Sequence, residues 1–292
     1  MSTIKNLLLT TIATVVLVGC GEPRQSISPE ETNSIVEFDV SGDTNSFGQI
    51  PISKSLIELI EKTSIFEAAE QGNIAIVKHH LSNGADVNIK SEDGSTLLDF
   101  AAMCCSYEIT ELLVSKGIDI NYIGPLGVSH AHNAAANGCE KIIKLLFQKG
   151  ANVNVIINSE ESPFYGLSPL DAAYLAEEKQ TAKVLRELGA VHASLHGAVL
   201  SGEKDTLKKF INDGMNVNQK IYGNNTPLIM AVREGKYEIS EILLNSDSDF
   251  NSKDSNGRTA LDWAQEKHNM KIADLLRKHG GKTSEELKAE GK

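Results

Sequence analysis

Aromatic residues are scarce in this chain, 5% of 292 residues with a single Trp. A compact single core usually draws much of its buried area from such rings, so one large globule is disfavoured. A stack of small helices built on Ala and Leu has no such need. Basic residues are also in deficit, 28 Lys and Arg against 39 Asp and Glu, for a formal net charge of −11. Phosphates repel an acidic surface, which argues against a nucleic-acid partner. The sequence holds no G-x-S-x-G elbow, no Walker loop and no dinucleotide glycine pattern. Cysteines number only four, and long apolar runs are few. What remains, 41% apolar and 23% charged, is an ordinary soluble composition.

The N-terminus is organised as an address. Lys5 precedes residues 7–18, an uncharged run too short for a bilayer, which needs roughly 20 residues. It matches the apolar region of a secretory signal. The run ends Leu17, Val18, Gly19, Cys20. This resembles the lipobox of bacterial lipoproteins, and the resemblance implies that Cys20 becomes the first mature residue and carries acyl chains. Each buried methylene adds about 0.8 kcal/mol of membrane affinity, so several chains anchor durably. A plain signal peptide with an incidental Cys is the alternative. Gly21 and Glu22 follow, with no Asp beside the Cys, which in the family implies sorting to the outer membrane, facing the periplasm. Residues 1–19 are thus a signal, and their loss removes Lys5 and leaves a mature charge of −12. Residues 20–53 are rich in Ser, Glu, Thr, Asn and Gly and read as a flexible tether, with a short strand allowed at residues 35–40. Ser55 and Glu58 have capping-box spacing ahead of Leu56, Leu59 and Ile60, a short helix able to shield the chain beyond it.

From residue 54 to 281 one unit repeats. Its clearest copy starts at Thr226, a helix cap, and Pro227, a good first helical residue. Gly235 breaks that helix, and Ile239, Ile242 and Leu243 have the spacing of a second. A small residue marks the first helix at Ala68, Ala101, Ala134, Ala173, Ala198, Ala231 and Ala264, at intervals of 33, 33, 39, 25, 33 and 33. A second mark falls at Asn88, Asn121, Asn154, Asn218 and Asn251. Before it, Gly84, Gly117, Gly150, Gly189 and Gly214 supply the left-handed residue that ends the second helix, with Asp247 in the sixth unit. The pattern resembles the ankyrin repeat. The resemblance implies an all-α solenoid of about seven helix-turn-helix units with β-hairpin fingers. No unit buries its faces alone, so the stack is stabilised at its interfaces and its ends are more polar. Residues 282–292 form a terminal cap or tail.

Two irregularities interrupt the period. The 39-residue interval lengthens the finger after Asn154 by six residues, including Pro163, Phe164, Tyr165 and Gly166. The 25-residue interval deletes the next finger, so that Gly189 leads almost directly to His196. The reading is a notch, with a break or bend near residue 190; neutral length drift is the competing account.

The family binds other proteins through finger tips and the concave face of the first helices. Carried onto this register, the concave position holds Glu67, Phe100, Asn133, Ala172, Gly197, Met230 and Trp263. Phe100, Met230 and Trp263 are large and apolar there, Met103 and Leu200 lie close by, and Tyr122, Phe164, Tyr165 and Tyr222 lie on fingers. Exposed aromatics and Met are enriched at interfaces, so these nine are the candidate partner-binding residues, unless they pack against neighbouring fingers. Beyond Cys20, Cys104 and Cys105 lie between the helices of the second unit and Cys139 at the matching place in the third. A secreted location permits disulfides. Helices stack about 10 Å apart and a disulfide needs Cα atoms within roughly 7 Å, so a Cys105–Cys139 bond requires local approach. His130 and His132 with these cysteines bring metal binding to mind, but no Cys-x-x-Cys or His-x-x-x-His spacing occurs among the five. No metal and no cofactor is expected. In the family a His at the helix start ties finger to helix; His132 and His196 take that place here, and Asp99, Asp171 and Asp262 take it in other units, which makes them structural.

The leading expectation is a membrane-anchored module that holds another protein at the periplasmic face, with no enzymatic activity and no small-molecule substrate. Two others stay open. One is a protector that binds a toxin or periplasmic enzyme, to which an acidic surface is suited. The other is a hydrolase using Cys and His.

Overall fold

The computed structural model describes residues 62–291. Cys20, the signal, the tether and the short helix expected at Ser55 lie outside the described residues. Among the described residues there are seven helix-turn-helix pairs and one terminal helix. The pairs are α1 (Ile65–Glu70) with α2 (Ile74–Ser82), α3 (Leu97–Met103) with α4 (Tyr107–Ser115), α5 (His130–Ala136) with α6 (Glu140–Gln148), and α7 (Pro169–Leu175) with α8 (Lys179–Glu187). Then come α9 (Leu195–Ser201) with α10 (Lys204–Asn212), α11 (Pro227–Arg233) with α12 (Tyr237–Leu244), and α13 (Ala260–Glu266) with α14 (Met270–Lys278); α15 (Ser284–Ala289) closes the stack. Three of the finger hairpins are reduced to a single antiparallel bridge, at Lys90–Thr96, Ile123–Ser129 and Ile221–Asn225. The architecture is the all-α solenoid that the period implies.

Short helices of six to nine residues are marginal alone, and here caps and packing hold them. Every first helix starts on Ser or Thr. In α3, α7 and α13 the Asp at the third helical position returns the favour, accepting from the backbone N–H of Thr96 (2.8 Å), Ser168 (3.0 Å) and Thr259 (2.8 Å). The seven marker alanines are all fully buried. A larger side chain there would overpack the helix contact by about 1–3 kcal/mol.

The Asn mark has a physical cause. Each Asn carboxamide oxygen accepts from a backbone N–H of the next unit: Asn88 from Asp119, Asn121 from Asn152, Asn154 from Val191, Asn218 from Asp249 and Asn251 from Lys282, at 2.7–3.0 Å. In the three middle cases the carboxamide nitrogen also donates to the next unit's carbonyl, at Gly150, Gly189 or Asp247. One side chain thus fixes the pitch of the stack. Asp247 adopts positive φ (59°), filling the conformational role of the missing Gly.

The expected notch is filled. The long finger, residues 155–167, lies across the place of the deleted one. Tyr222 N–H donates to the Pro163 carbonyl (3.0 Å), and Gln219 Nε2 donates to the Tyr165 carbonyl (3.2 Å). The Phe164 ring stacks on Tyr222 with centroids 6.0 Å apart. Insertion and deletion therefore compensate each other, six residues added on one side of unit four and eight removed on the other relative to the 33-residue period.

Candidate interaction surface

The structure sorts the nine candidate residues by what covers them. Phe164 and Met230 were expected at the surface and are corrected: they are 4% and 6% exposed. Phe164 fills the gap left by the deleted finger, and Met230 belongs to the same core as Leu228 and Ala231. Beside Phe164 remains an apolar cavity of about 10 Å3, lined in part by Val128, His132 and Leu175, with room for no more than one water. Tyr222 is half-buried beneath Phe164. Tyr122 is half-buried as well; its hydroxyl donates to the Gly94 carbonyl (3.0 Å) and the Lys90 ammonium sits 4.1 Å from its ring. Phe100 packs on Phe66, with centroids 5.5 Å apart, and Met103 and Leu200 are half-buried.

Trp263 is not an open platform. Its indole N–H donates to Asp254 Oδ2 (2.9 Å), and the Arg233 and Arg258 guanidiniums lie 4.8 and 4.6 Å from its ring. Cation–π contacts of this kind use the ring face that a partner would otherwise take. Burial lowers the Arg233 pKa, although a guanidinium stays charged throughout the working range.

Tyr165 is the one candidate that is exposed, at 44%. Ile123 and Ile156 join it at 42% and 49%. Sequence reasoning passed over both, yet a signal was present. They lie two residues beyond the Asn marks, where other fingers carry Lys90, Lys220 and Lys253. Their fingers touch: a Cβ added at Gly127 would lie 3.4 Å from the backbone nitrogens of Asn158 and Ser159. Phe147, Val191, Tyr237 and Met270 are exposed as well, on second helices and on the turn after α8. Among the described residues no exposed large apolar side chain lies on a concave first helix, and the fingers that carry Ile123, Ile156 and Tyr165 are adjacent.

Cys105 and Cys139 are joined by a disulfide, with Cα atoms 5.1 Å apart. The helix spacing of about 10 Å does not govern this place, because the bond joins turns. The residue between the paired helices has positive φ in every unit: Gly72, Cys105, Gly138, Glu177, Gly202, Gly235 and His268. That residue points at the cap of the next unit's second helix; a Cβ on Gly72 or Gly235 would lie 3.9 Å from Ser106 Oγ or 3.6 Å from Asn269 Nδ2. Cys105 occupies the first role and Cys139 the second. Cys104 stays outside the disulfide and is half-buried.

The remaining polar groups are structural. Asp99 accepts from His130 Nδ1 (2.7 Å) and Asn133 Nδ2 (3.0 Å). Burial raises its pKa, but the bonds from His130 and Thr96 outweigh that and leave it lowered. His132 and His196 each donate through Nε2 to the carbonyl just before the next unit's helix cap, Leu167 (3.1 Å) and Asn225 (3.2 Å). Burial pushes both down to about 4, against the opposing effect of those bonds, so both are neutral near pH 7. His192 and His196 do have the four-residue spacing of a zinc site. They point to different partners, however, since His192 Nδ1 is bonded to Asp171 Oδ1. Among the described residues no group of three or more His, Cys, Asp or Glu could hold a metal ion.

Geometry thus defines a class: a helical repeat protein whose units are pinned by an Asn ladder and end-capped by α15. The family model for ankyrin repeats, in three copies, matches residues 65–157 and 195–286, well over half of the chain. The chain belongs to the ankyrin repeat family, whose repeats serve as protein–protein interaction modules. It is similar to the human transient receptor potential cation channel subfamily A member 1, with 29% identity over 68% of this chain and 19% of the relative. It is also similar to the palmitoyltransferase ZDHHC13 of Mus musculus, with 29% identity over 77% of this chain and 38% of the relative. The chain spans well under half the length of each. A solved structure, the human ASB11 ankyrin repeat domain, aligns with a TM-score of 0.47 and 21% identity over 74% of this chain and 98% of that one.

Proposed function

We propose that the protein is a lipid-anchored ankyrin module of the bacterial envelope that holds another protein at the periplasmic side of the outer membrane. The observation that carries the binding half is the exposed apolar set Ile123, Ile156 and Tyr165 on touching fingers. Ordinary surfaces scatter such residues singly; here they lie on neighbouring fingers, the part of the repeat through which the family meets partners. The anchoring half rests on Leu17-Val18-Gly19-Cys20 directly after an apolar run. The Cys105–Cys139 bond supports it independently, because such bonds persist in oxidising compartments.

Two measurements test the halves separately. A photo-crosslinking residue at Tyr165 should trap one protein from intact cells, and Ile123→Ser with Ile156→Ser should abolish the band. A band that survives both serines would remove the finger surface from the proposal. A toxin in that band would sharpen the reading to a protector. Labelled palmitate should enter the wild-type chain and not Cys20→Ala; incorporation into neither would end the lipoprotein reading.

A further inference from the structure

The seam between α8 and α9 copies the end of the array. At the C-terminus Asn251 accepts from Lys282 N–H, Thr259 Oγ1 donates to the Lys282 carbonyl, and Ser284 N–H donates to Asp262 Oδ2. At the seam Asn154 accepts from Val191 N–H, Ser168 Oγ donates to the Val191 carbonyl, and Ala193 N–H donates to Asp171 Oδ2. The three bonds correspond one to one. The chain beyond the seam also copies a beginning. The helix cap lies four residues before the marker Ala at Ser194, as it does at Ser64, and five residues before it in the other five units. Among the described residues no Asn rung reaches Asn216, so the ladder is interrupted once, here. Buried apolar side chains fall into two clusters that meet inside unit four; the second crosses the seam and joins Ala172 and Leu175 of α7, and Ala176 at its cap, to Leu195, Ala198 and Val199 of α9.

We infer that the chain is two ankyrin stacks placed end to end, residues 62–193 and 194–291, and that the long finger is a clasp that locks them together and can open. Beyond the helix packing of α7 on α9, two kinds of contact cross the seam. On one side is a polar set: Arg186 is ion-paired with Glu203 across the seam, and His192, bonded to Asp171 within the first stack, accepts from Arg186 Nη2 (3.1 Å) and helps to place it. Gly197 is required there, since a Cβ on it would meet Asp171 Oδ1. On the other side is the clasp, residues 163–165, held by Phe164, by the Tyr222 N–H bond and by Gln219. A repeat array is stabilised unit by unit through its interfaces, so an interface that lacks its finger is where cooperativity first fails. The clasp restores the coupling through contacts 54 residues apart in sequence between Tyr165 and Gln219. This goes beyond the binding proposal: opening would swing the exposed Tyr165 and Ile156 away from the second stack and change the shape offered to a partner.

The test is urea unfolding and hydrogen exchange by mass spectrometry on the full soluble chain without its signal. Wild type should unfold in one transition. Phe164→Ala should split it in two and speed exchange in residues 156–167 and 219–225 by about a hundredfold, with residues 65–115 unchanged. Gln219→Ala, which removes one side-chain bond and no core, should speed exchange in the same two segments only, by about tenfold. Tyr122→Ala, a finger aromatic away from the seam, should leave a single transition. If Phe164→Ala keeps one transition with exchange raised evenly along the chain, the array is one cooperative block and the clasp is refuted. The clasp is equally refuted if Gln219→Ala changes nothing in residues 156–167.

Discussion

Two seams in this array depart from the family rule, and they depart in opposite directions. Between the second and third units the stack is over-fastened: the ordinary helix contacts and Asn rung are present, and the Cys105–Cys139 bond is added. Between the fourth and fifth a finger is missing and, among the described residues, no rung reaches Asn216. Side-chain polar bonds and a borrowed finger stand in. A stack tolerates either change because each unit answers only to its neighbours. A local gain or loss is repaired locally, and the remaining interfaces keep their geometry.

The covalent seam should give the largest effect. The disulfide links residues 34 apart in sequence, and constraint of a loop of that size in the unfolded chain is worth about 4 kcal/mol. Cys139→Ser should lower unfolding stability by that amount under oxidising conditions and by almost nothing in excess reductant. Cys105→Gly should lose about 1 kcal/mol less than Cys105→Ser, since Cys105 has φ of 52° and only Gly is at ease there. Equal losses in the two Cys105 variants would mean that the turn position carries no conformational penalty.

At the fingerless seam the next largest effect belongs to Gly197→Ala. The added methyl would sit in the Asp171 carboxylate and crowd His192 Nδ1 at 2.6 Å. The helix must shift or the buried pair must break, at about 3 kcal/mol. The same change at Gly84, where nothing lies within 4 Å of the added Cβ, meets only the backbone penalty of a positive φ, about 1 kcal/mol. A ratio near one between these two losses, measured by urea unfolding, would show that the seam relaxes freely.

Repetition made the fold legible. Ala and Asn marks recur because one packing contact and one hydrogen bond recur, and seven copies average out local noise. The deletion near residue 190 was legible for the same reason, as a missing interval. Its repair was not, because the 54-residue contact between Tyr165 and Gln219 has no period to announce it. Phe164 and Met230 misled for a related reason. Register told which face of a helix or finger they occupy, whereas exposure depends on whether a neighbouring finger covers that face. Trp263 shows the limit on chemistry: its arginines come from two other segments, at Arg233 and Arg258, and only the folded chain brings them to the ring. Ile123 and Ile156 were readable as apolar residues where sister fingers carry Lys, a comparison within the chain.

Acid should act on both sides of the fingerless seam. His132 and His196 are neutral and buried, with folded pKa values of about 4, below the ordinary 6.5. Between those values the unfolded chain binds protons that the folded chain does not, so stability falls as pH drops from about 6.5 to about 4, by about 1.4 kcal/mol per pH unit for each histidine. Above pH 7 the two make no pH-dependent contribution. His132→Gln and His196→Gln should each reduce the slope of stability against pH by about 1.4 kcal/mol per pH unit in that window. In the Phe164→Ala background the His132 change should alter only the transition of the first stack, and the His196 change only that of the second.

The smallest effect tests the ladder. Asn121 and Asn218 make the same two bonds, one accepting from the next unit's N–H and one donating to its carbonyl. Both sites are partly open to water, so each alanine substitution should lose about 1 kcal/mol and no more. In the wild-type chain Asn121→Ala and Asn218→Ala should lower the one unfolding midpoint by similar amounts, because a locked array reports on all its units together. Once Phe164→Ala has opened the clasp, Asn121→Ala should move only the transition of residues 62–193, and Asn218→Ala only that of residues 194–291. The same substitution at two rungs with the same pair of bonds would then differ chiefly in which side of residue 193 it lies on. Should both still move both transitions, coupling across the seam would survive the loss of Phe164 and would run through the Arg186–Glu203 pair and the packing of α7 on α9 instead.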